Sequence, residues 1–482
     1  MPSTRSLALL SLLVSVSLVL SKPAEAQSAA PPSLTELYKD TAGALIGAAL
    51  TDDEGWEKLT YLTTVIGNRL SGSPQLEQAI QWAGQSMRRE GFDKVVLQPV
   101  KVPHWVRGKE SAQVVVPHPR ALPMLGLGNS VGTPPEGITA PIVVVKSFDE
   151  LKALDDKAVQ GKIVVYAVPW EGYGKTVQYR GRGASEAARK GAVAALVRSA
   201  TGNSLATPHT GAMRYAQDAP KIPAAAITPE DADWMRRMAE AGRPVTVKLT
   251  MEAKMLPDAD SHNVIAEIAG SEFPDEVVVM GGHFDSWDVG QGAHDDGASC
   301  IAAWQALALI KKLGLHPKRT LRVVLWTNEE NGLRGGRAYR KALGDMVKNH
   351  VAAIEMDGGC ERPVGFGASL GAGRGGSEEG STTPSPAAER MLSRLRQIGA
   401  LLEGIGAGSI TSGGGGADIG PLMREGVPGL ALRTVMEHYF DWHHTDADTL
   451  DKVDPLNLRR ATAMLAVMGF VLADMPGRLG DQ

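Results

Sequence analysis

The run Thr320-Leu-Arg-Val-Val-Leu-Trp-Thr327 is almost wholly apolar at its centre and stops abruptly at Asn328-Glu329-Glu330. A strand with one wet face alternates polar and apolar residues, whereas a run without alternation is covered on both faces. Segments of similar character, at 263–268, 276–280, 351–356 and 427–432, read as further strands. Helical patterns over 298–313, 333–343, 384–403 and 456–474 separate or follow them. This alternation predicts an α/β fold, a mixed and largely parallel sheet sandwiched by helices. In such sheets ligands sit beyond the carboxyl ends of the strands, so chemistry is expected there.

The rest of the chain divides around that body. With 482 residues there is room for about three domains. Amphipathic helices are expected at 34–50, 54–70 and 75–90, and strands at 94–102 and 112–116. After a glycine-rich loop the stretch 120–250 reads as a separate α/β insert. Its strands fall at 142–145, 162–166 and 193–197, with a helix over 183–191. The expected organisation is therefore 1–26 as a leader, 27–119 and 251–482 as two parts of one catalytic body, and 120–250 as the insert. The leader has Arg5, a 14-residue apolar run from Leu7 to Leu20 broken only by serines, and Ala24-Glu25-Ala26. That is the layout of a cleavable secretory signal, too short for a spanning helix of about 20 residues. No later segment reads as a membrane span. The absence of any Asn-x-Ser/Thr sequon favours a periplasmic or secreted bacterial protein.

Composition removes other classes. Fifty Lys and Arg stand against 54 Asp and Glu, without a basic block, which argues against a nucleic-acid partner. Two cysteines, Cys300 and Cys360, exclude a disulfide scaffold and a CxxC zinc ribbon.

Polar residues gather where strands end. The strand at 276–280 runs into Gly-Gly-His283-Phe-Asp285, and Gly292-Ala-His-Asp295-Asp-Gly297 opens the next helix. Glu329 and Glu330 follow the apolar run, Asp357 follows 351–356, and His443-His444-Thr-Asp-Ala-Asp448-Thr449 lies near the C-terminal end. Carboxylates at the ends of buried strands are costly to desolvate unless they are paired or hold a cation. Histidine and carboxylate without thiolate suits catalytic zinc and tolerates manganese or cobalt. The acids are numerous enough for two ions sharing a bridging carboxylate.

These segments resemble the co-catalytic zinc exopeptidases, which include bacterial aminopeptidases and glutamate carboxypeptidases. The likeness tightens toward the plasma glutamate carboxypeptidase branch at Gly282-His-Phe-Asp-Ser-Trp-Asp-Val-Gly-Gln-Gly292, Thr176-Val-Gln-Tyr-Arg180, Thr207-Pro-His-Thr-Gly211 and Lys221-Ile-Pro223. It implies an insert of the protease-associated type and two Zn²⁺ per chain. His283 and Asp357 would bind one ion, Glu330 and His444 the other, and Asp295 both. Asp285 would orient the first histidine and Glu329 would be the general base. The Asp295-Asp296 bond falls where this group often has a cis peptide. Only spacing to Asp448-Thr449 favours His444 over His443. His294 matches no ligand position. The resemblance further implies short peptide substrates, expected to be dipeptides with a free N-terminus, and a homodimer.

Rival readings follow other motifs. Gly367-Ala-Ser-Leu-Gly371 fits the GxSxG nucleophile pattern of serine hydrolases, with Asp418 and His443 following in order. Gly128-Asn-Ser-Val-Gly132 fits it too, and a serine hydrolase leaves Asp295, Glu329, Glu330 and Asp357 unexplained. Gly371-Ala-Gly-Arg-Gly-Gly376 fits GxGxxG without the strand–helix setting a dinucleotide site needs. A non-catalytic, receptor-like binding protein on the same fold is the remaining alternative.

Overall fold

The computed structural model describes residues 1–3, 32–371 and 385–481. Most of the expected leader, and residues 372–376 of the GxGxxG run, lie outside them. The first helix, Leu34–Leu50, starts at a capping box: the Ser33 hydroxyl accepts the Glu36 amide, and the Glu36 carboxylate accepts the Ser33 amide. The helix expected over 54–70 is shorter. Glu54–Thr60 passes into a π-helical turn, Tyr61–Ile66, which ends at Gly67 in the left-handed region. Residues 68–71 leave the helix because Arg69 and Ser71 are buried beneath the strand ends.

Eight strands form the main sheet, in the order Lys94–Val106, Lys254–Ile268, Arg319–Trp326, Phe273–His283, His350–Glu355, Gly429–Thr434, Pro363–Ser369, Ser409–Ser412. Arg319–Trp326, Phe273–His283, His350–Glu355 and Gly429–Thr434 run parallel in the centre, and antiparallel neighbours flank them. The apolar run serves both faces. Leu321, Val323 and Leu325 join one core with helices Leu34–Leu50, Ala298–Lys312 and Pro455–Asp474, while Val324 and Trp326 join another with Tyr339, Ile419 and Leu422. Pro363–Ser369 and Ser409–Ser412 are strands that the sequence pattern does not announce, since Gly365 and Gly367 dilute the apolar signal of the first and Ile410 is the one apolar residue of the second. One expectation needs correction: by length and composition Pro455–Asp474 is apolar enough to cross a membrane, with 20 residues and a mean hydropathy of 1.3 over its most apolar 18-residue window. It is a core helix, with 78% of its most apolar window buried inside the protein.

A second eight-stranded sheet is built from residues 110–251. The sequence places its start at 120, but Glu110–Val116 already belongs to it, pairing with Thr246–Met251 and burying Ala112 and Val114 in its core. This body is spliced between Lys94–Val106 and Lys254–Ile268, which pair with each other up to Val106 opposite Lys254. The two bodies interlock at Trp287, whose ring lies so close to Gly128 that a Cβ there would overlap it.

Candidate metal centre

Parallel strands deliver the histidine and carboxylates to one edge. Phe273–His283 ends at the first histidine, Arg319–Trp326 leads to Glu329 and Glu330, and His350–Glu355 leads to Asp357. Asp295 and Asp296 sit in the turn Ala293–Gly297 at the head of Ala298–Lys312, joined by a cis peptide. His443 and His444 follow the short helix Tyr439–Trp442.

The side chains converge on Asp295. One of its oxygens, Oδ1, lies 3.2 Å from His283 Nε2, which is also 3.5 Å from Asp357 Oδ1. The other, Oδ2, lies 3.2 Å from His444 Nε2, itself 3.1 Å from Glu330 Oε2. Two donor sets thus share one carboxylate. His443 is also within reach, its Nε2 3.5 Å from Asp295 Oδ2, and it stacks on His444 with ring centres 3.6 Å apart. Asp296 makes a further group with His283 and Asp357, and its Oδ2 accepts the His283 amide at 3.0 Å.

Supporting contacts fix the geometry. His283 Nδ1 donates to the Asp285 carbonyl at 2.9 Å, which turns Nε2 toward Asp295. The Asp285 carboxylate accepts the amides of Glu329 and Glu330 and the Ser71 hydroxyl. Asp448 accepts three successive amides, those of Ala293, His294 and Asp295, and so holds the turn that presents Asp295. Arg69, with no exposed surface, donates to the carbonyls of Gly67, Phe284, Gln291 and Gly292 and ties together both ends of the loop between His283 and Asp295. Arg69 and Ser71 carry no spacing signal that marks them in sequence, because their partners, backbone carbonyls for Arg69 and the side chains of Asp285 and Asn328 for Ser71, lie far along the chain.

The electrostatics fit cation binding. Burial alone would push His283 down, but Asp295 and Asp357 hold its imidazolium well above the ordinary histidine range. Asp295 is kept well below the usual carboxylate range, the hydrogen bonds from His283 and His444 outweighing burial. Burial, opposed by His283 and reinforced by Asp357 and Glu330, drives Glu329 well above that range. Burial and Asp295, against His444, also raise Glu330. So many carboxyls cannot all ionise together without added positive charge. Glu330 Oε1 and Asp296 Oδ1 are buried with no hydrogen-bond partner, as lone pairs meant for a cation would be. The nitrogen and oxygen donors suit zinc.

Other expected features fall elsewhere. His294 is structural, its Nδ1 accepting the Cys360 amide and its Nε2 donating to the Lys452 carbonyl. Cys300 and Cys360 are buried free thiols. Ser369 ends a strand rather than occupying a strand-to-helix elbow, and its hydroxyl accepts the Gly414 amide. Asp418 accepts the Gly336 amide. Among the described residues no Ser369–His443 hydrogen bond joins a serine triad.

Comparison with known proteins agrees with this geometry. The model of peptidase family M28 matches residues 263–468. Carboxypeptidase Q of Homo sapiens is 44% identical over 439 residues, covering 90% of this chain and 89% of its own. The solved structure of a peptidase M28 precursor from Shewanella amazonensis SB2B shares 34% identity with a TM-score of 0.85, over 92% of this chain and 98% of that one. BSAP, a zinc aminopeptidase from Bacillus subtilis, shares the fold at a TM-score of 0.63 and 18% identity, over 89% and 96% of the two chains. With this similarity along nearly its whole length, and with histidine and carboxylate donors gathered at the strand ends, the chain is a metallopeptidase and belongs to peptidase family M28.

Proposed function

We propose that the protein is an exported exopeptidase that carries two zinc ions and hydrolyses short peptides, with free-amine dipeptides as preferred substrates. The observation that carries this reading is Asp295 lying between two donor sets, His283 with Asp357 and His444 with Glu330. His444 is the proposed ligand in preference to His443 because it alone of the two pairs with Glu330. The relatives' names, carboxypeptidase Q and zinc aminopeptidase, point to the same chemistry.

Zinc held by these residues supplies the Lewis acidity that polarises a peptide carbonyl and activates water. Glu329, next to the ligand Glu330 and only half-buried, takes the proton from the attacking water and returns it to the leaving amine. Asp285 orients His283 through its backbone carbonyl and fixes both glutamates through their amides. The insert, of the protease-associated type, covers the site and limits it to small substrates. Export follows from the expected leader, and a homodimer from the family resemblance.

A dipeptide panel with each terminus blocked in turn, run beside metal analysis, tests the proposal. Two zinc ions per active chain, and loss of turnover on blocking the amine, support it. Equal cleavage of blocked or long peptides, or full activity without metal, overturns it.

A further inference from the structure

The insert does more than overhang the site. Its residue Thr210 meets His444 with two backbone groups at once. The Thr210 amide donates to the His444 carbonyl at 3.0 Å, and the Thr210 carbonyl lies 3.2 Å from His444 Nδ1. Its neighbour His209, almost completely buried, donates from Nδ1 to the His443 carbonyl at 2.7 Å. Consecutive insert residues therefore hold consecutive carbonyls of the histidine pair.

That grip falls where the backbone needs one. His444 has a φ of +64°, in the left-handed region that a residue with a Cβ adopts only when its surroundings hold it there. The imidazole has a similar need. With a cation on Nε2, Nδ1 must carry the proton and find an acceptor, and the Thr210 carbonyl is that acceptor. The Arg180 guanidinium approaches the same nitrogen at 3.3 Å, but it offers only donors and is occupied by the Thr210 carbonyl and the Tyr173 hydroxyl. His283 shows the counterpart in the catalytic body, where Nδ1 donates to the Asp285 carbonyl. One metal-binding histidine is thus oriented from within the body and the other from the insert.

The segment itself is anchored firmly in the insert. The His209 amide donates to the Ser199 hydroxyl, which donates to the Ile227 carbonyl at the end of the strand Ala224–Ile227. The Thr210 hydroxyl donates to the Gly126 carbonyl. Gly211 lets the Arg180 guanidinium lie directly against the backbone, where any Cβ would collide with it.

We infer that His209 and Thr210 are positioning residues of the metal centre, so that the insert sets the affinity of the zinc site built on Glu330 and His444 and leaves the His283–Asp357 site unaffected. This rests on the reading of His444 as a zinc ligand.

The test is zinc titration of the full chain against a chromogenic chelator, with Co²⁺ substitution read in the visible spectrum. His209→Leu removes the donor to the His443 carbonyl, and Thr210→Pro removes the donor to the His444 carbonyl. Each should weaken one of the two zinc steps by about 10–100-fold and change the cobalt bands of one site only. His209→Asn, whose Nδ2 takes the place of the ring Nδ1 and can donate to the same carbonyl, should recover most of the loss. Should His209→Leu not fold, His209→Phe, which keeps a ring and lacks the donor, takes its place. Wild-type affinity at both steps in these variants overturns the inference, as does an equal loss at both, which marks general loosening of the fold. His444→Ala, titrated in parallel, separates this from failure of the ligand assignment. If His444→Ala still binds two ions at wild-type affinity, the assignment itself is wrong.

Discussion

Asp285 reaches across the site to accept the backbone amide of Glu329 at 3.0 Å, while its other oxygen takes the amide of Glu330 at 3.4 Å. The two glutamates are thereby held as a unit with their side chains free for different tasks. Asp285→Asn keeps the size but replaces one acceptor oxygen with an NH₂ group that faces an N–H or the Ser71 hydroxyl. Turnover should fall by about 10–100-fold with the fold intact. Steady-state kinetics beside a thermal melt checks this; unchanged kcat would show that the amides need no such anchor.

Glu329 and Glu330 should separate chemistry from binding. Glu329→Gln keeps the shape and removes the proton acceptor, so kcat should drop about 10²–10⁴-fold with metal content unchanged. Glu330→Gln should lower the occupancy of one metal site. Metal analysis of both purified variants decides the matter, and a Glu329→Gln enzyme that fails only through metal loss would reverse the two roles.

Metal removal should be felt in stability as well as in activity. Glu330 Oε1 and Asp296 Oδ1 have no protein partner, and the surrounding carboxyls crowd one another. Chelated protein should be inactive and melt at lower temperature, and Zn²⁺ should restore both. At a free concentration a thousand times Kd, each ion adds about 4 kcal/mol. Calorimetry with and without Zn²⁺ measures this, and identical melts would contradict it.

One pH effect is predicted away from the metal centre. His350 packs against Tyr339, whose hydroxyl bonds its Nε2 at 2.8 Å, and burial together with Arg322 pushes the imidazole down to about 4. Above pH 6.5 it is neutral in both folded and unfolded chains and contributes no pH dependence. As pH falls from 6.5 to 4 the unfolded chain takes up a proton that the native state refuses, so stability is lost, by about 3 kcal/mol at the lower end. Denaturant titrations across that window should show a shallower slope for His350→Gln than for the wild type.

The residues legible in sequence are those whose identity follows from their own position. Leu321 to Trp326 announce a doubly covered strand, and acids placed just after such strands announce the cluster. Asp448 was visible only as a spacing mark beside His444, although it carries the Asp295 turn on three hydrogen bonds. Arg69 was invisible, since an arginine bonded solely to carbonyls leaves no charge partner to find. The edge at Glu110 was misplaced because the strands on either side of it, Lys94–Val106 and Glu110–Val116, look alike in pattern and differ only in which sheet they join.

Because Val106 and Lys254 lie opposite each other on paired strands, the catalytic body experiences everything between them as the connection of a single hairpin. Closing a connection costs entropy that grows only with the logarithm of its length, so a long one is tolerated almost as well as a short one. The body's topology is therefore indifferent to what is grafted at that tip, and a short turn in its place would leave every strand of the main sheet with the same neighbours. Its chemistry has no such freedom, since the graft folds back from the hairpin tip onto His443 and His444.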